Sequence, residues 1–357
     1  MTNLSRGQYF HIGAKAIGDG QPCFIIAEIG ANHDGDVDKA IELVEMAARS
    51  GADAIKLQTY TASELTVNTD RVVTWGPKGA EKQETIGGLF DRLALPRDQH
   101  EVVFKHAQSL GVEAFSTPFS IDGVDFLNGL KVPAYKVASS DVNFRDLLTV
   151  TAKSGKPVIL STGKANMSEI ARAVEHLNAN GLEHLAILHC VAQYPAPIDE
   201  MKLHTIPALK GMWPNAIIGF SDHSHGITAA LGAIALGAKI IEKHITYDKA
   251  AIGPDHWFSS DEAELTELCC EVRRMEAALN GVRTGILECE IEERKVSVRS
   301  LVVTRDLPQG HILIDQDLRA ARPGTGIDPF HQDMVVGRRL QNAVNKDSVL
   351  TWDAFTD

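Results

Sequence analysis

Two histidines separated by one helix-length of chain are the first residues that could do chemistry. His223 closes the run Ile217-Ile-Gly-Phe-Ser-Asp-His223, and His244 closes Lys239-Ile-Ile-Glu-Lys-His244. Between them an apolar helical pattern over 227–236 stops at Gly237. Strand, helix and strand, with polar residues at each strand end, read as one parallel α/β unit. In such sheets chemistry collects at the carboxyl ends of the strands. On neighbouring strand ends the two imidazoles stand close enough to share one metal ion, although two histidines alone do not name the metal.

The other apolar runs end in the same way. Glu28 closes the first, with Asn32 and His33 beyond it, and the second carries Lys56 and Gln58. Then come Ser116-Thr117-Pro118, Lys136 with Ser139 and Ser140, Ser161-Thr162-Gly163, and His189 with Tyr194 beyond. Ser221 and Glu242 accompany the two histidines. Each residue type has a bland alternative. A lysine late in a strand usually snorkels to water, and a lone strand-end histidine is more often structural than a ligand. Serines after strands often cap helices, the reading given to Ser120 and Ser168. Two lysines in one phase and two histidines on adjacent strands argue for binding instead. Thr117 and Ser161 lie too far ahead of their helices to be explained as caps. Lysines with hydroxyls and glycine turns make a cradle for phosphate or carboxylate. Paired histidines with an open face make a Lewis-acid site for a carbonyl. Carbon–carbon bond formation and metal-assisted isomerisation both fit that combination.

The elements that must position these groups repeat regularly. Strands are expected over 24–29, 54–58, 113–116, 134–138, 157–160, 185–189, 217–220 and 239–242. Helices follow over 37–49, 97–110, 123–130, 144–153, 168–178, 201–209, 227–236 and 262–279. Strict alternation predicts a (β/α)8 TIM barrel, with strands apolar on both faces. The rival is a doubly wound open sheet, which the even spacing and the lack of a GxGxxG after the first strand disfavour. The polar stretch 59–95 is long for a loop and reads as a functional insertion over a site. The rhythm stops near Leu279. The expected organisation is a catalytic barrel with an N-terminal hairpin over 1–282, a linker over 283–297, and a small β-rich domain over 298–357. In the last, Ser300–Thr304 and Ile312–Ile314 read as short strands, and Arg322-Pro-Gly-Thr-Gly326 as a turn.

Composition excludes some partners. The formal charge of −12 argues against nucleic acid or an anionic membrane surface, so an anionic substrate must be held by local cations. No apolar run reaches the roughly 18 residues of a membrane span. The opening MTNLSRGQYFHIG lacks a signal peptide's apolar core, and five scattered cysteines do not form a disulfide framework. A cytoplasmic location is expected.

At these residues the chain resembles the bacterial sialic acid synthase family, the nonulosonate synthases. The resemblance rests on Ile26-Ala-Glu-Ile-Gly-Ala-Asn-His33, Lys56-Leu-Gln58, Ser116-Thr-Pro-Phe119, Pro133-Ala-Tyr-Lys136 and Leu160-Ser-Thr-Gly163. It continues through His189-Cys190, Tyr194-Pro195, Gly219-Phe-Ser-Asp-His223, Ile241-Glu-Lys-His244, Gly253-Pro-Asp-His256 and Arg322-Pro-Gly324. The order of the set is more specific than any piece. The resemblance implies a barrel followed by an antifreeze-like SAF domain of the β-clip type. It implies condensation of phosphoenolpyruvate with an N-acetylmannosamine-type sugar, with release of phosphate. From their strand-end positions Glu28, Lys56 and Lys136 are expected to be catalytic, with Glu28 handling protons. The bland alternative for Glu28 is a salt-bridge partner for Lys56 or Lys136. The resemblance implies a divalent metal, manganese or magnesium, on His223 and His244. The phosphoenolpyruvate contacts would be Lys56, Gln58, Thr117, Lys136, Ser139, Ser161, Tyr194 and Ser221, with Glu242 and Asp255 also at the substrates. It further implies a domain-swapped homodimer in which Arg322 reaches the partner's sugar. Some members carry asparagine where this chain has Ala192. Members also differ in sugar, and the 2,4-diacetamido sugars of legionaminic and pseudaminic acids are the alternative. A barrel aldolase or isomerase without phosphoenolpyruvate is a rival, as is a non-enzymatic carbohydrate-binding protein. The polar ring of strand-end residues speaks against the last.

Overall fold

A computed structural model describes residues 9–356. The opening residues 1–8, counted with the barrel above, and Asp357 lie outside it. The chain divides at Asn280/Gly281 into two compact units.

The first unit is a closed barrel of eight parallel strands. They are β1 (Phe24–Gly30), β2 (Ala54–Thr59), β3 (Glu113–Pro118), β4 (Tyr135–Val137), β5 (Val158–Ser161), β6 (Leu185–Cys190), β7 (Ile217–Asp222) and β8 (Ile240–His244). The helices that follow them are α1 (Val37–Ser50), α2 (Arg97–Ser109), α3 (Ile121–Gly129), α4 (Arg145–Lys153), α5 (Met167–Ala179), α6 (Thr205–Met212), α7 (Thr228–Ala235) and α8 (Glu262–Ala278). Strand β1 is buried along its whole length, as are β4 to β8. That is why they read as unbroken apolar runs rather than alternating ones. The last helix is latched to the start of the barrel. Arg273 on α8 donates to the Cys23 carbonyl at 2.7 Å and to Asp53 at 2.9 Å.

An antiparallel hairpin, Tyr9–Ile12 with Lys15–Gly18, lies across the amino ends of the strands. The Ala14 amide donates to Glu113 at the start of β3, and Phe10 stacks on His184 just before β6. The carboxyl end is therefore left as the open mouth. The 59–95 stretch is more than a loop. It holds a helix Ala62–Leu65, a hairpin of Val72–Trp75 with Lys82–Thr85, and a helix Ile86–Leu93. Val73 and Trp75 pack there against a small core of Ala31, Leu89 and Leu93.

Helix starts follow side-chain chemistry. Ser120 caps α3 as expected, accepting from the Gly123 amide at 2.9 Å. Ser168 does not cap α5. Asn166 takes that position in a capping box with Glu169, and Ser168 donates its own amide and hydroxyl to Asn166 Oδ1. Asparagine reaches the free amides of the first turn from two residues earlier, and so displaces the serine.

The second unit pairs strand Ser300–Val303 with Leu318–Ala321 over a core that includes Leu301, Val303, Leu313, Ile327 and Leu350. The strand expected over 312–314 is reduced to a bridge from Ile312 to Arg339. The expected linker carries a turn, Glu288–Glu290, and a helix, Ile291–Ser297. Acidic Glu292 and Glu293 in its first turn and basic Arg294 and Lys295 in its last complement the helix dipole.

Gly219 on β7 tests the barrel's packing. A Cβ there would stand 2.5 Å from Leu188 Cδ2 and 2.7 Å from both Cβ and the carbonyl oxygen of Ile240. Gly219→Ala should cost about 1–3 kcal/mol, read as a lower urea midpoint at unchanged slope. An unchanged midpoint would mean that β7 and β8 can spread apart.

Candidate active site

Barrel register brings the site residues opposite one another. Glu28 pairs with Lys56 across β1 and β2, Gln58 with Thr117 across β2 and β3, and Ser221 with Glu242 across β7 and β8. A bulge between Glu28 and Gly30 re-aims the end of β1. Gly30 has a φ of 56°, and a Cβ there would come within 3.2 Å of Glu28 Oε1. Glycine is therefore the residue that lets the bulge close over the site. The strand ends surround a cavity of about 690 Å³, its solvent-facing opening included.

Four charges are sealed at the bottom of this cavity. Glu28, Lys56, Lys136 and Glu242 are each at most 4 % exposed. Lys56 Nζ lies 2.5 Å from Glu28 Oε2 and 3.9 Å from Glu242 Oε2, and donates to Thr117 Oγ1 at 2.9 Å. Lys136 Nζ donates to Ser161 Oγ at 2.6 Å and lies 3.8 Å from Glu242 Oε1. Gln58 donates to Glu28 at 3.0 Å, and Ser221 to Glu242 at 3.1 Å. Burial pushes the Glu28 carboxyl above the usual range, and Lys56 only partly opposes it. Burial acts on Glu242 in the same direction, but Lys136 and Lys56 together hold its pKa below the usual value. Environments that drive two carboxyls apart separate a proton carrier from a permanent counter-ion.

The other side of the cavity is aromatic. The His223 and His244 rings are 5.3 Å apart between centroids. His223 Nδ1 donates to the Val191 carbonyl at 3.0 Å, which leaves Nε2 as its free nitrogen. His244 Nδ1 is buried without a hydrogen-bond partner. Burial, then the charge of His223 and the lysines, keeps His244 neutral well below the ordinary histidine range. The Tyr194 ring packs 4.3 Å from His223, and a cis peptide joins Tyr194 to Pro195. Asp255 places Oδ2 3.6 Å from His244 Nδ1, and burial pushes its carboxyl up to about 6.

A layer behind holds these groups in position. Lys243 donates to Asp222 at 2.8 Å and to the Ser224 and Gly226 carbonyls at 2.5 and 2.9 Å, pinning the loop that carries His223. His256 is fully buried between Thr246 Oγ1 at 2.7 Å and Asp34 Oδ1 at 3.2 Å, which braces the turn bearing Asp255.

The structure gathers the expected strand-end groups unequally. Glu28, Lys56, Gln58, Thr117, Lys136 and Ser139 line the cavity, as do Ser161, Tyr194, Ser221, His223, Glu242 and His244. Asp255 stands at its edge through His244. Arg322 belongs to the second unit. Asn32, His33 and His189 do not line it. Asn32 donates to the Ile245 carbonyl and to Ser259, His33 accepts from the Gly35 amide, and His189 bonds the Met201 carbonyl at 2.6 Å. Successive residues of a strand face opposite ways, so Cys190 enters the cavity where His189 turns away. Cys190 and Lys164 are lining residues that sequence reasoning did not select, whereas Ser140, named with Ser139, and Ala192 do line the cavity. The strand period could have found Cys190. Lys164 follows the Ser161-Thr-Gly163 motif directly but carries no strand phase of its own.

A barrel whose mouth holds buried lysines, carboxylates and paired histidines, followed by a small separate unit, is a (β/α)8 enzyme with an appended module. Its sequence carries one family's pattern through most of the barrel. The chain belongs to the NeuB family, whose profile matches residues 43–284, and an SAF domain matches residues 298–356. It is 34% identical to the N,N'-diacetyllegionaminic acid synthase of Campylobacter jejuni, over 91% of this chain and 98% of that one. Human N-acetylneuraminate-9-phosphate synthase is also 34% identical, over 94% of this chain and 93% of its own. The crystal structure of N-acetylneuraminic acid (sialic acid) synthetase from Leptospira borgpetersenii matches with a TM-score of 0.71 at 33% identity, covering 80% of this chain and 95% of that one.

Proposed function

We propose that this chain condenses phosphoenolpyruvate with an N-acylated amino sugar of the N-acetylmannosamine type, giving a sialic-acid-like nonulosonate and free phosphate. The observation that carries the reading is one cavity with two unlike sides: lysines and hydroxyls on β2 to β5, histidines and Tyr194 on β6 to β8. The named relatives support it. A second reading takes a 2,4-diacetamido sugar as acceptor, with Ala192 an apolar lining residue where some members carry asparagine.

The phosphate and carboxylate of phosphoenolpyruvate meet Lys56 and Lys136, with Gln58, Thr117, Ser139, Ser161, Tyr194 and Ser221 as hydrogen-bonding partners. Dipoles and charges held ready in a water-poor site are often the largest catalytic term. Asp255 and Arg322 orient the sugar. His223 and His244 would hold a divalent ion, manganese or magnesium, and the unpartnered Nδ1 of a neutral His244 suits that role. When bound, such an ion polarises a carbonyl oxygen. Carbon 3 of phosphoenolpyruvate then bonds to the aldehyde carbon, carbon 2 becomes an oxocarbenium, and water captures it. The tetrahedral carbon expels phosphate as its C–O bond breaks. Glu28 takes the water's proton or returns one to the new alkoxide, and its raised pKa supports that duty. Glu242 stays ionised between the lysines as their fixed counter-ion.

Arg322 is exposed in the second unit, on a turn pinned by Ser300, whose hydroxyl donates to the Pro323 carbonyl and accepts from the Gly326 amide. It fits a domain-swapped homodimer in which this turn faces a partner's mouth. A cytoplasmic setting is supported by five unpaired cysteines. Among the described residues no helix is long and apolar enough to cross a membrane.

The primary test offers phosphoenolpyruvate with a panel of N-acylated mannosamine-type sugars and measures phosphate release. Release with one of them is expected, lost on chelation and restored by manganese. A rival barrel aldolase or isomerase would release none. Glu28→Gln keeps the shape but removes the base, so turnover should fall at least about a hundredfold with phosphoenolpyruvate binding retained. Because the ionised form is the active one, wild-type kcat/KM should fall as pH drops through the raised Glu28 pKa. That acid limb should lie above the ordinary carboxylate range and vanish in Glu28→Gln. Loss of phosphoenolpyruvate binding instead would assign Glu28 to structure. Arg322→Ala should weaken sugar binding by about 2–5 kcal/mol. Mixed with Glu28→Gln protein it should regain activity through hybrid dimers, and no gain under confirmed subunit exchange would exclude the swap.

A further inference from the structure

Charge in the cavity poses a problem that the lysines above solve only in part. Lys56 and Lys136 are already matched by Glu28 and Glu242. Asp141, half-buried near Lys136, adds a further carboxyl, whose pKa burial pushes up to about 6. An ion cluster that neutralises itself offers little net attraction to a further anion, and the chain as a whole carries −12. A substrate bearing both phosphate and carboxylate is held more firmly by a further cation without a protein partner.

We infer that Lys164 supplies that cation and caps the phosphate of phosphoenolpyruvate at the rim of the cavity. This rests on the reaction proposed above. Lys164 lines the same cavity, on the turn between β5 and α5, and is exposed. It makes no hydrogen bond or ion pair among the described residues. Its backbone is left-handed, with a φ of 63°. Glycine and asparagine adopt that conformation more easily, and a strained non-glycine residue beside a site is a reason to ask what the side chain does there. The preceding residue sets its place. The Gly163 amide donates to Ser139 Oγ at 2.9 Å. A Cβ on Gly163 would stand 2.9 Å from Ala192 Cβ and 3.0 Å from both Cys190 Sγ and Ser139 Oγ. The turn is thus drawn tight between Ser139, on the hydroxyl side of the cavity, and Cys190 and Ala192 at the end of β6. The histidines and Tyr194 occupy the other side. The free charge of Lys164, on a turn that follows Ser161 and is packed by Ser139, both assigned to phosphoenolpyruvate, suits the phosphate of that substrate.

The test is calorimetric titration of the full chain with phosphoenolpyruvate and, separately, with inorganic phosphate. Lys164→Gln removes the charge, Lys164→Gly also relieves the left-handed backbone, and Lys164→Arg keeps the charge. Affinity for both anions should fall about tenfold in the Gln and Gly variants and stay within about threefold in the Arg variant, the scale of one charged hydrogen bond. KM for phosphoenolpyruvate should rise in step, while KM for the sugar stays within about twofold. Because Lys164→Gly favours the native turn, its melting temperature should not fall, which separates lost affinity from lost structure. Anion affinity unchanged in both charge-removing variants would overturn the inference, as would a loss confined to KM for the sugar. Phosphate binding that depends on Lys164 in a protein releasing no phosphate from phosphoenolpyruvate would sink the proposed reaction and leave Lys164 its anion site. Turnover with Lys164-independent binding would do the reverse.

Discussion

The buried ion cluster of Glu28, Lys56, Glu242 and Lys136 is the constraint on which the rest of the barrel mouth depends. Taking four charges out of water is costly, and their mutual attraction repays it only if geometry is good and the remaining polar atoms are paired. The strand register meets most of that condition, with Glu242 Oε2 left without a hydrogen-bond partner. It sets Lys56 against Glu28 and Ser221 against Glu242 without requiring any loop to fold first. The hydroxyls of Thr117 and Ser161 then take the lysine protons that the carboxylates leave over. The bulge at Gly30 brings β1 near enough for Glu28 to join the cluster.

The cluster is also what makes the site ready before substrate arrives. Water would have to reorganise around a developing charge, whereas groups fixed on a closed barrel do not. A second tier keeps the mobile part of the mouth in register. The Lys243–Asp222 pair holds the loop after β7, and His256 holds the turn after β8. Neither touches the cavity. Each instead restricts a residue that does, His223 in the first case and Asp255 in the second.

Much of this was legible in the sequence because barrel strands advertise themselves. Continuous apolar runs gave the eight strands, and the polar residue closing each run gave most of the cavity lining. The failures share a cause. Reading by strand end ignores the alternation of faces, so His189 was included and Cys190 omitted. Turn geometry is set by tertiary contacts, so nothing before the structure marked Lys164, whose place follows from what crowds Gly163. Ser168 was misjudged because a competing cap two residues earlier won. The helix Ile291–Ser297 was read as linker because its few residues carry charge in place of an apolar face.

The residues proposed for the two substrates differ in what carries them. Those assigned to phosphoenolpyruvate stand mostly on barrel strands, Tyr194 excepted, while Asp255 and Arg322, assigned to the sugar, stand on a loop and in the second unit. Loop changes leave a strand ladder intact, whereas a change at Lys56 or Glu242 strands its partner's charge in the dark. Drift in such a chain is therefore channelled. Acceptor preference is free to diverge by single substitutions in the loops while the condensation chemistry stays locked to the barrel.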